Sequence, residues 1–243
     1  HRDLHLSIRR QRQMCIRDRH GLGNDGRIDL ERTAALLNNL HADFIGLQEV
    51  DNKVRRSGMI DQAQTLGKSL GMNSAFGSFM DYQGGKYGLG VLSKYPILAA
   101  NEIKLPTGNE PRVALACKVQ LPDDREIMVV NLHFDWVKDD SFRFQQAKAL
   151  AKYLDNLTLP YVMMGDFNDQ PQSRTLDLLS KGTLSAVKPS QDRFTFSSTR
   201  PTIEIDFIFA APRKAWQFRF SRVLNGKLTS DHRPILAVLE LKP

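Results

Sequence analysis

Four stretches of this 243-residue chain carry an apolar run or a turn directly into groups that bind cations or move protons. Leu47 leads into Gln48-Glu49. Val129-Val130 leads into Asn131-Leu132-His133-Phe134-Asp135. Met163-Met164 leads into Gly165-Asp166-Phe167-Asn168, and the turn Thr229-Ser230 leads into Asp231-His232. Taken singly, Asp, Asn and Gly at strand ends are ordinary turn residues, and a lone histidine is more often structural. Taken together they supply carboxylates, two imidazoles and an amide. That set suits a hard cation held through oxygen beside a histidine that gives or takes a proton. Strand ends are where such groups belong, because the sheet fixes them while loops admit substrate.

The elements that must position them follow from periodicity and punctuation. Asp29 reads as a helix N-cap, with helical spacing over 32–40. Helices are also expected over 61–70, with Gly71 as C-cap, and over 141–154 and 173–179. Strands are expected over 43–48, 74–79, 88–93, 97–104, 113–119, 126–132, 161–165, 203–209, 216–223 and 235–239. Many strands with few helices at irregular intervals do not make a simple alternating βα pattern. Two packed sheets with helices outside fit better, as one α/β domain over 21–243 without repeats or linkers.

Composition excludes several classes. No apolar run approaches the roughly 18–20 residues of a membrane-spanning helix. Two cysteines, Cys15 and Cys117, make neither a disulfide framework nor a zinc site. The net charge of +7 suggests an anionic partner less than it first implies. Six Lys or Arg and two Asp lie within residues 1–20, so the remainder carries only +3. Gly21-Leu22-Gly23-Asn24-Asp25-Gly26 matches a dinucleotide-binding pattern, but no buried strand is expected directly before it.

Residues 1–20 show little apolar periodicity, many arginines and no clear element. They lack the apolar centre of a secretory signal. A disordered basic arm, a targeting peptide, or sequence foreign to the natural protein are the alternatives; Met14-Cys15-Ile16-Arg17-Asp18-Arg19 favours the last, because it resembles translated adapter sequence. The native N-terminus, with any leader, is then missing, and the compartment stays open between cytoplasm and export.

Gln48-Glu49, Asn131-Leu132-His133, Gly165-Asp166-Phe167-Asn168, Ile205-Asp206-Phe207 and Ser230-Asp231-His232-Arg233-Pro234 occur in the order found in the endonuclease/exonuclease/phosphatase superfamily, the DNase-I-like group. The resemblance covers residues 20–243. It implies a four-layer αββα sandwich, two mostly antiparallel sheets packed face to face with helices outside. It implies that Glu49, with Asp231, binds Mg²⁺ or Mn²⁺. Asp166 would orient or deprotonate the attacking water, with Asn168 beside it. His232 would act as acid, base or phosphate contact, with Asp231 orienting it or binding metal. His133 would donate to a phosphoryl oxygen, and Asp206 would support the site from its strand. Arg112 and Trp136 are candidate substrate contacts.

The chain departs from the family at the end of the first strand, where an Asn near the metal is usual. Counting back from His20-Gly21, that position holds Arg17, and Asn24 is a weak substitute. The expected activity is in-line hydrolysis of a phosphoester by a monomer. The opening of the domain and the stretch Tyr87 to Pro96 are similar to bacterial sphingomyelinase and GPI-lipid-remodelling relatives, which points to a small or lipid head-group phosphodiester, met in solution or at a membrane surface. A DNA or RNA nuclease is the alternative. A catalytically impaired binding protein on the same scaffold is the alternative of another class.

Overall fold

A computed structural model describes residues 10–17 and 19–243; within 10–17, Gln13 is the only described side chain. The chain order is β1 (Arg10–Arg17), α1 (Leu30–Asn38), β2 (Phe44–Asn52), α2 (Gln62–Leu70), β3 (Asn73–Tyr82), β4 (Gly85–Ser93), β5 (Ile97–Lys104), β6 (Val113–Gln120), β7 (Glu126–His133), α3 (Ser141–Leu154), β8 (Tyr161–Asp166), α4 (Arg174–Ser180), β9 (Leu184–Ser185), β10 (Asp206–Ala211), β11 (Trp216–Val223) and β12 (Ile235–Leu241). The strands form two six-stranded sheets, ordered β11-β12-β1-β2-β4-β3 and β5-β6-β7-β8-β10-β9.

Local chemistry sets the helix ends. The Asp29 and Asp61 side chains accept from the backbone N–H of Arg32 and Gln64, and Gly71 closes α2 in the left-handed conformation at φ 65°. Strand alternation divides the core into three layers. Val113, Leu115, Cys117 and Val119 of β6 face the first sheet, while Ala114 and Ala116 face the helices α3 and α4. Leu37 of α1 and Ala63 and Leu66 of α2 cover the outer face of the first sheet against Ile45, Leu47 and Leu236. The result is helix, sheet, sheet, helix, the DNase-I-like sandwich. Among the described residues no helix is long and apolar enough to cross a membrane.

Each sheet holds one parallel pair at its centre, β1 with β2 and β7 with β8, each joined through a helix; the other pairings are antiparallel. This arrangement explains why chemistry gathers at one edge. Parallel neighbours β7 and β8 end there together. Antiparallel β10 and β12 begin there, since they run the opposite way beside β8 and β1.

Several elements differ from the sequence reading. No regular element is expected in the first twenty residues, yet β1 lies within the first sheet between β12 and β2. Its pairing is long-range, which a local pattern of charged and polar residues does not reveal. The buried Gln13 lies in register between Phe44 and Ala237, both part of the apolar layer between the sheets. Neither its Oε1 nor its Nε2 has a hydrogen-bond partner among the described residues. Helix α1 starts at Leu30, directly after its expected N-cap Asp29, whereas the two-residue strand β9 has no counterpart in the sequence reading. The strand expected over 203–209 runs from Asp206 to Ala211, while Ile203 forms an isolated bridge with Phe196 instead.

Candidate active site

The inter-sheet layer turns polar at its last rung. On β8, Val162 and Met164 face inward, and the next residue of that parity is Asp166. Register pairs Asp166 with His133 on one side and Asp206 on the other, so three adjacent strands present one polar row. All three residues are buried. Just beneath, Gln48 and Asn131 bridge the two sheets. Gln48 Nε2 donates to Asn131 Oδ1 at 2.6 Å, and Asn131 Nδ2 donates to the Leu47 and Gly90 carbonyls at 2.8 Å each. This satisfied network fixes the spacing of the sheets under the site.

Two backbone devices aim the row. Gly165 sits at φ 152°, and a Cβ there would lie 2.1 Å from the Leu132 carbonyl oxygen, so only glycine lets β8 approach β7. On β2 the pairing with β4 slips between Gln48 and Val50, leaving Glu49 at φ 61°. A bulge of this kind re-aims the side chain it carries. The Glu49 carboxylate is nearly buried.

The reactive geometry centres on one carboxylate. Asp166 Oδ1 accepts from the Asn168 backbone N–H at 2.8 Å. Asp166 Oδ2 lies 3.5 Å from His133 Nε2 and 3.8 Å from His232 Nε2. His232 Nδ1 in turn lies 2.9 Å from Asp206 Oδ2. Burial pushes the Asp206 carboxyl up, but the His232 charge, hydrogen bonds from His232 and Thr195, and the Lys188 charge together hold it below the ordinary carboxylate value. An ionised Asp206 fixes the Nδ1 proton of His232 and turns Nε2 toward Asp166. Phe196 packs on the His232 ring at 4.8 Å.

Metal-capable groups fall in two places. Ligand atoms of Asp166, Asp206 and His232 lie within 4.8 Å of one another, although the Asp206–His232 hydrogen bond marks that pair for proton handling. Glu49 offers a carboxylate on the facing sheet. Position 17 ends β1 in register with Gln48, next to Glu49 along the same edge; the Arg17 side chain is outside the described residues.

The remaining expected residues are distributed as follows. Asn168, at φ 50°, donates through Nδ2 to the Phe134 carbonyl at 2.9 Å, which leaves its Oδ1 as the acceptor it can offer. Arg112 is buried; its guanidinium lies 4.9 Å over the Phe79 ring, which packs edge-on with both His133 and Tyr87. Its Nη2 donates to Glu110 at 3.0 Å, while Nε and Nη1 have no hydrogen-bond partner among the described residues. Trp136 is 58% exposed, on the loop following β7. Asp231 does not contact His232: its carboxylate lies 3.8 Å from Arg19 Nε and 3.4 Å from Ser230 Oγ. The carboxylate within hydrogen-bond distance of the His232 ring is therefore Asp206, because β10 places it in the same buried row.

Asn24, the substitute considered for the first-strand Asn, is committed elsewhere. Its Nδ2 reaches Ser198 Oγ and the Lys227 and Ser230 carbonyls at 2.6 to 3.2 Å. A Cβ at Gly23 would lie 2.1 Å from the Leu228 carbonyl oxygen. The glycine-rich stretch thus docks on the turn that carries Asp231 and His232, which accounts for its composition without a nucleotide.

One residue escaped the sequence reading. His20 follows β1 at φ 47°, and its carbonyl accepts from Gln62 Nε2 at 2.9 Å. Burial, then the Arg56 charge, lower its pKa against the opposing pull of Asp51 and Glu49. A neutral imidazole therefore stands in the field of Glu49. In the sequence His20 served only as a landmark, since it borders the segment without pattern.

Comparison with known proteins places this geometry. The model of the Endonuclease/Exonuclease/phosphatase family matches residues 20–232. A UPF0294 protein of Vibrio campbellii is 31% identical over 166 residues, covering 63% of this chain; the chain spans 55% of that relative's length. The Escherichia coli protein YbhP is 26% identical over 186 residues, 72% of each chain. Among solved structures, an endonuclease/exonuclease/phosphatase from Bacteroides vulgatus superposes with a TM-score of 0.79 at 23% identity, covering 96% of this chain and 99% of the other. The mannosyl-6-phosphatase Bt3783 of Bacteroides thetaiotaomicron gives 0.78 at 18%, covering 96% and 100%.

Proposed function

On the premise that this chain belongs to the endonuclease/exonuclease/phosphatase family, we propose that it is a divalent-metal-dependent hydrolase of phosphoric esters, acting on a small or lipid head-group phosphodiester. The observation that carries this reading is the convergence of two imidazole Nε2 atoms on one Asp166 oxygen, with Asp206 behind His232. Asp166 orients the attacking water and accepts its proton. His232, its Nδ1 proton fixed by Asp206, offers Nε2 as the second proton-transfer group. His133 and the two unpartnered N–H-bearing atoms of Arg112 donate to the phosphoryl oxygens as charge develops on them. Asn168 Oδ1 accepts from the water or faces the metal.

The donor chemistry fits a hard cation. Glu49 is the principal ligand and Asp231 a second, for Mg²⁺ or Mn²⁺. When bound, the ion polarises the phosphoryl oxygen and neutralises developing charge. The modest charge outside the first twenty residues favours a compact substrate over a polynucleotide, which needs several phosphate contacts. A nuclease is the second reading, supported by the exposed Trp136, which could stack on a base.

The test is hydrolysis of bis-p-nitrophenyl phosphate with Mg²⁺ or Mn²⁺, with and without EDTA, beside Asp166→Ala and His232→Ala. Activity abolished by EDTA, and lowered by about 10³-fold or more to a small residual rate in both variants, is the expected outcome. A folded wild-type protein without activity on this ester, on lipids, on nucleic acids or on phosphomonoesters would leave the binding-protein alternative.

A further inference from the structure

Behind the site, on the side away from His133, a charged group is buried that the proposed hydrolysis does not use. Lys188 follows the short edge strand β9, and its side chain is 2% exposed. Its Nζ donates to the Asp206 backbone carbonyl at 2.8 Å and lies 2.9 Å from Glu204 Oε1. The ammonium also sits 4.1 Å over the Phe207 ring. Glu204 Oε2 in turn lies 3.8 Å from Arg193 Nε, toward the surface. Signs therefore alternate inward from Arg193 through Glu204 and Lys188 to Asp206 and His232.

Burying an ammonium carries a large desolvation cost, and apolar side chains of the same volume in place of the Lys188–Glu204 pair would pack at least as well. Stability alone does not account for lysine here. What the ammonium touches is the backbone of Asp206, the residue whose carboxylate holds His232 Nδ1. Thr195 Oγ1 holds the preceding backbone on the other side of the Asp206 Cα, accepting from the Ile205 and Asp206 N–H groups at 3.2 and 3.3 Å.

We propose that Lys188 is a positioning residue for the hydrolytic site, clamping the Asp206 main chain so that its carboxylate holds the His232 ring in one orientation. The inference rests on the hydrolase reading for its kinetic consequence, but not for its structural one. Glu204 acts through Lys188, fixing the ammonium by a paired charge rather than touching Asp206. Without the ammonium, the Asp206 carbonyl loses its buried donor, the strand start relaxes, and the imidazole samples orientations in which Nε2 no longer faces Asp166.

The decisive experiment is a double-mutant cycle between Lys188→Met and His232→Ala, read by steady-state hydrolysis of bis-p-nitrophenyl phosphate with Mg²⁺. Lys188→Met should lower kcat about 10- to 100-fold, the cost typical of losing a group that orients a reacting one, with KM changed less than about twofold. Lys188→Arg, which keeps the charge, should recover most of the loss. In the His232→Ala background Lys188→Met should cost less than about twofold more, because the ring it serves is gone. An equal loss in both backgrounds, or a kcat within about twofold of wild type, would overturn the proposal. Should Lys188→Met not fold, Lys188→Met/Glu204→Leu removes both buried charges and enters the same cycle.

A second readout needs no turnover. Long-range ¹H–¹⁵N spectra of the imidazoles should show His232 as a single Nδ1-protonated tautomer in the wild type and as a mixture in Lys188→Met. A wild-type protein inactive on every ester would sink the hydrolase reading while leaving this spectrum to decide the clamp. An unchanged His232 pattern in a folded Lys188→Met protein would sink the clamp while leaving the hydrolase reading intact.

Discussion

Two aspartates stand near His232, and the distances separate their roles. Asp206 meets His232 Nδ1 at 2.9 Å inside the protein, whereas Asp231 faces Arg19 at the margin. Replacing Asp206 by Asn keeps the shape but makes the partner of Nδ1 a neutral amide that can settle the ring in the wrong tautomer. The expected loss in kcat is about 10²- to 10⁴-fold, by analogy with the hydrogen-bonded Asp behind a catalytic His. Asp231→Asn should instead act mainly through the metal, with loss recovered at high Mg²⁺. Titrating both variants with Mg²⁺ in the ester assay separates these outcomes, and recovery of Asp206→Asn by metal would reverse the assignment. At this scale the sequence speaks clearly where a polar residue ends an apolar alternation, as Asp166 and His133 do. It does not say which of Asp206 and Asp231 reaches His232, because that depends on the register of β10 against β8. Nor does it reveal His20 or Lys188, whose importance lies in neighbours distant along the chain.

Among the elements, helices were legible because their caps are local events: Asp29, Asp61 and Ser173 each accept from a backbone N–H three residues on. β1 was illegible because Arg-Gln-Arg-Gln carries no apolar face, and its place in the sheet is imposed by β2 and β12. The mismatch has a measurable cost. Gln13 buries an amide without a partner in the layer between the sheets. Gln13→Val should stabilise the fold by about 1–3 kcal/mol, the penalty of an unsatisfied buried polar group, or roughly 2–4 °C in Tm per kcal/mol for a chain of this size. Thermal unfolding followed by circular dichroism checks this, and a lower Tm would show that the amide is satisfied. The bulge at Glu49 is equally hidden: the sequence reading ends the strand at Gln48, whereas β2 runs on to Asn52 and the slip belongs to its pairing with β4.

For the whole molecule, the sandwich followed from counting strands and helices, whereas strand order did not, since it is set by long-range contacts. The sandwich has a pH signature. Burial pushes the Cys117 thiol up to about 12. The Tyr95 phenol is raised by burial and then by Asp43, and Tyr153 and Tyr161 are raised chiefly by burial. In the unfolded chain these groups lose their protons near their ordinary values, while the folded protein retains them. The folded state then binds more protons, so stability is unaffected below about pH 8 and falls as pH rises through the ordinary thiol and phenol range. Cys117 alone gives a limiting slope of about 1.4 kcal/mol per pH unit. Urea midpoints measured from pH 7 to 11 should decline only in the upper half, and a flat profile would count against these shifts.

The two sheets also differ in how the chain visits them. Every strand of the second sheet lies between residues 97 and 211, while the first takes β1 to β4 and then waits for β11 and β12. During synthesis the second sheet can therefore pair as it emerges, but β1 keeps an open edge until β12 leaves the ribosome. His232, on the turn before that strand, is the final proposed catalytic group to be made and the last to be seated. Asp166 and Asp206 wait for it in a half already assembled, so the proposed site of the nascent chain stays incomplete until residue 232 and β12 have emerged.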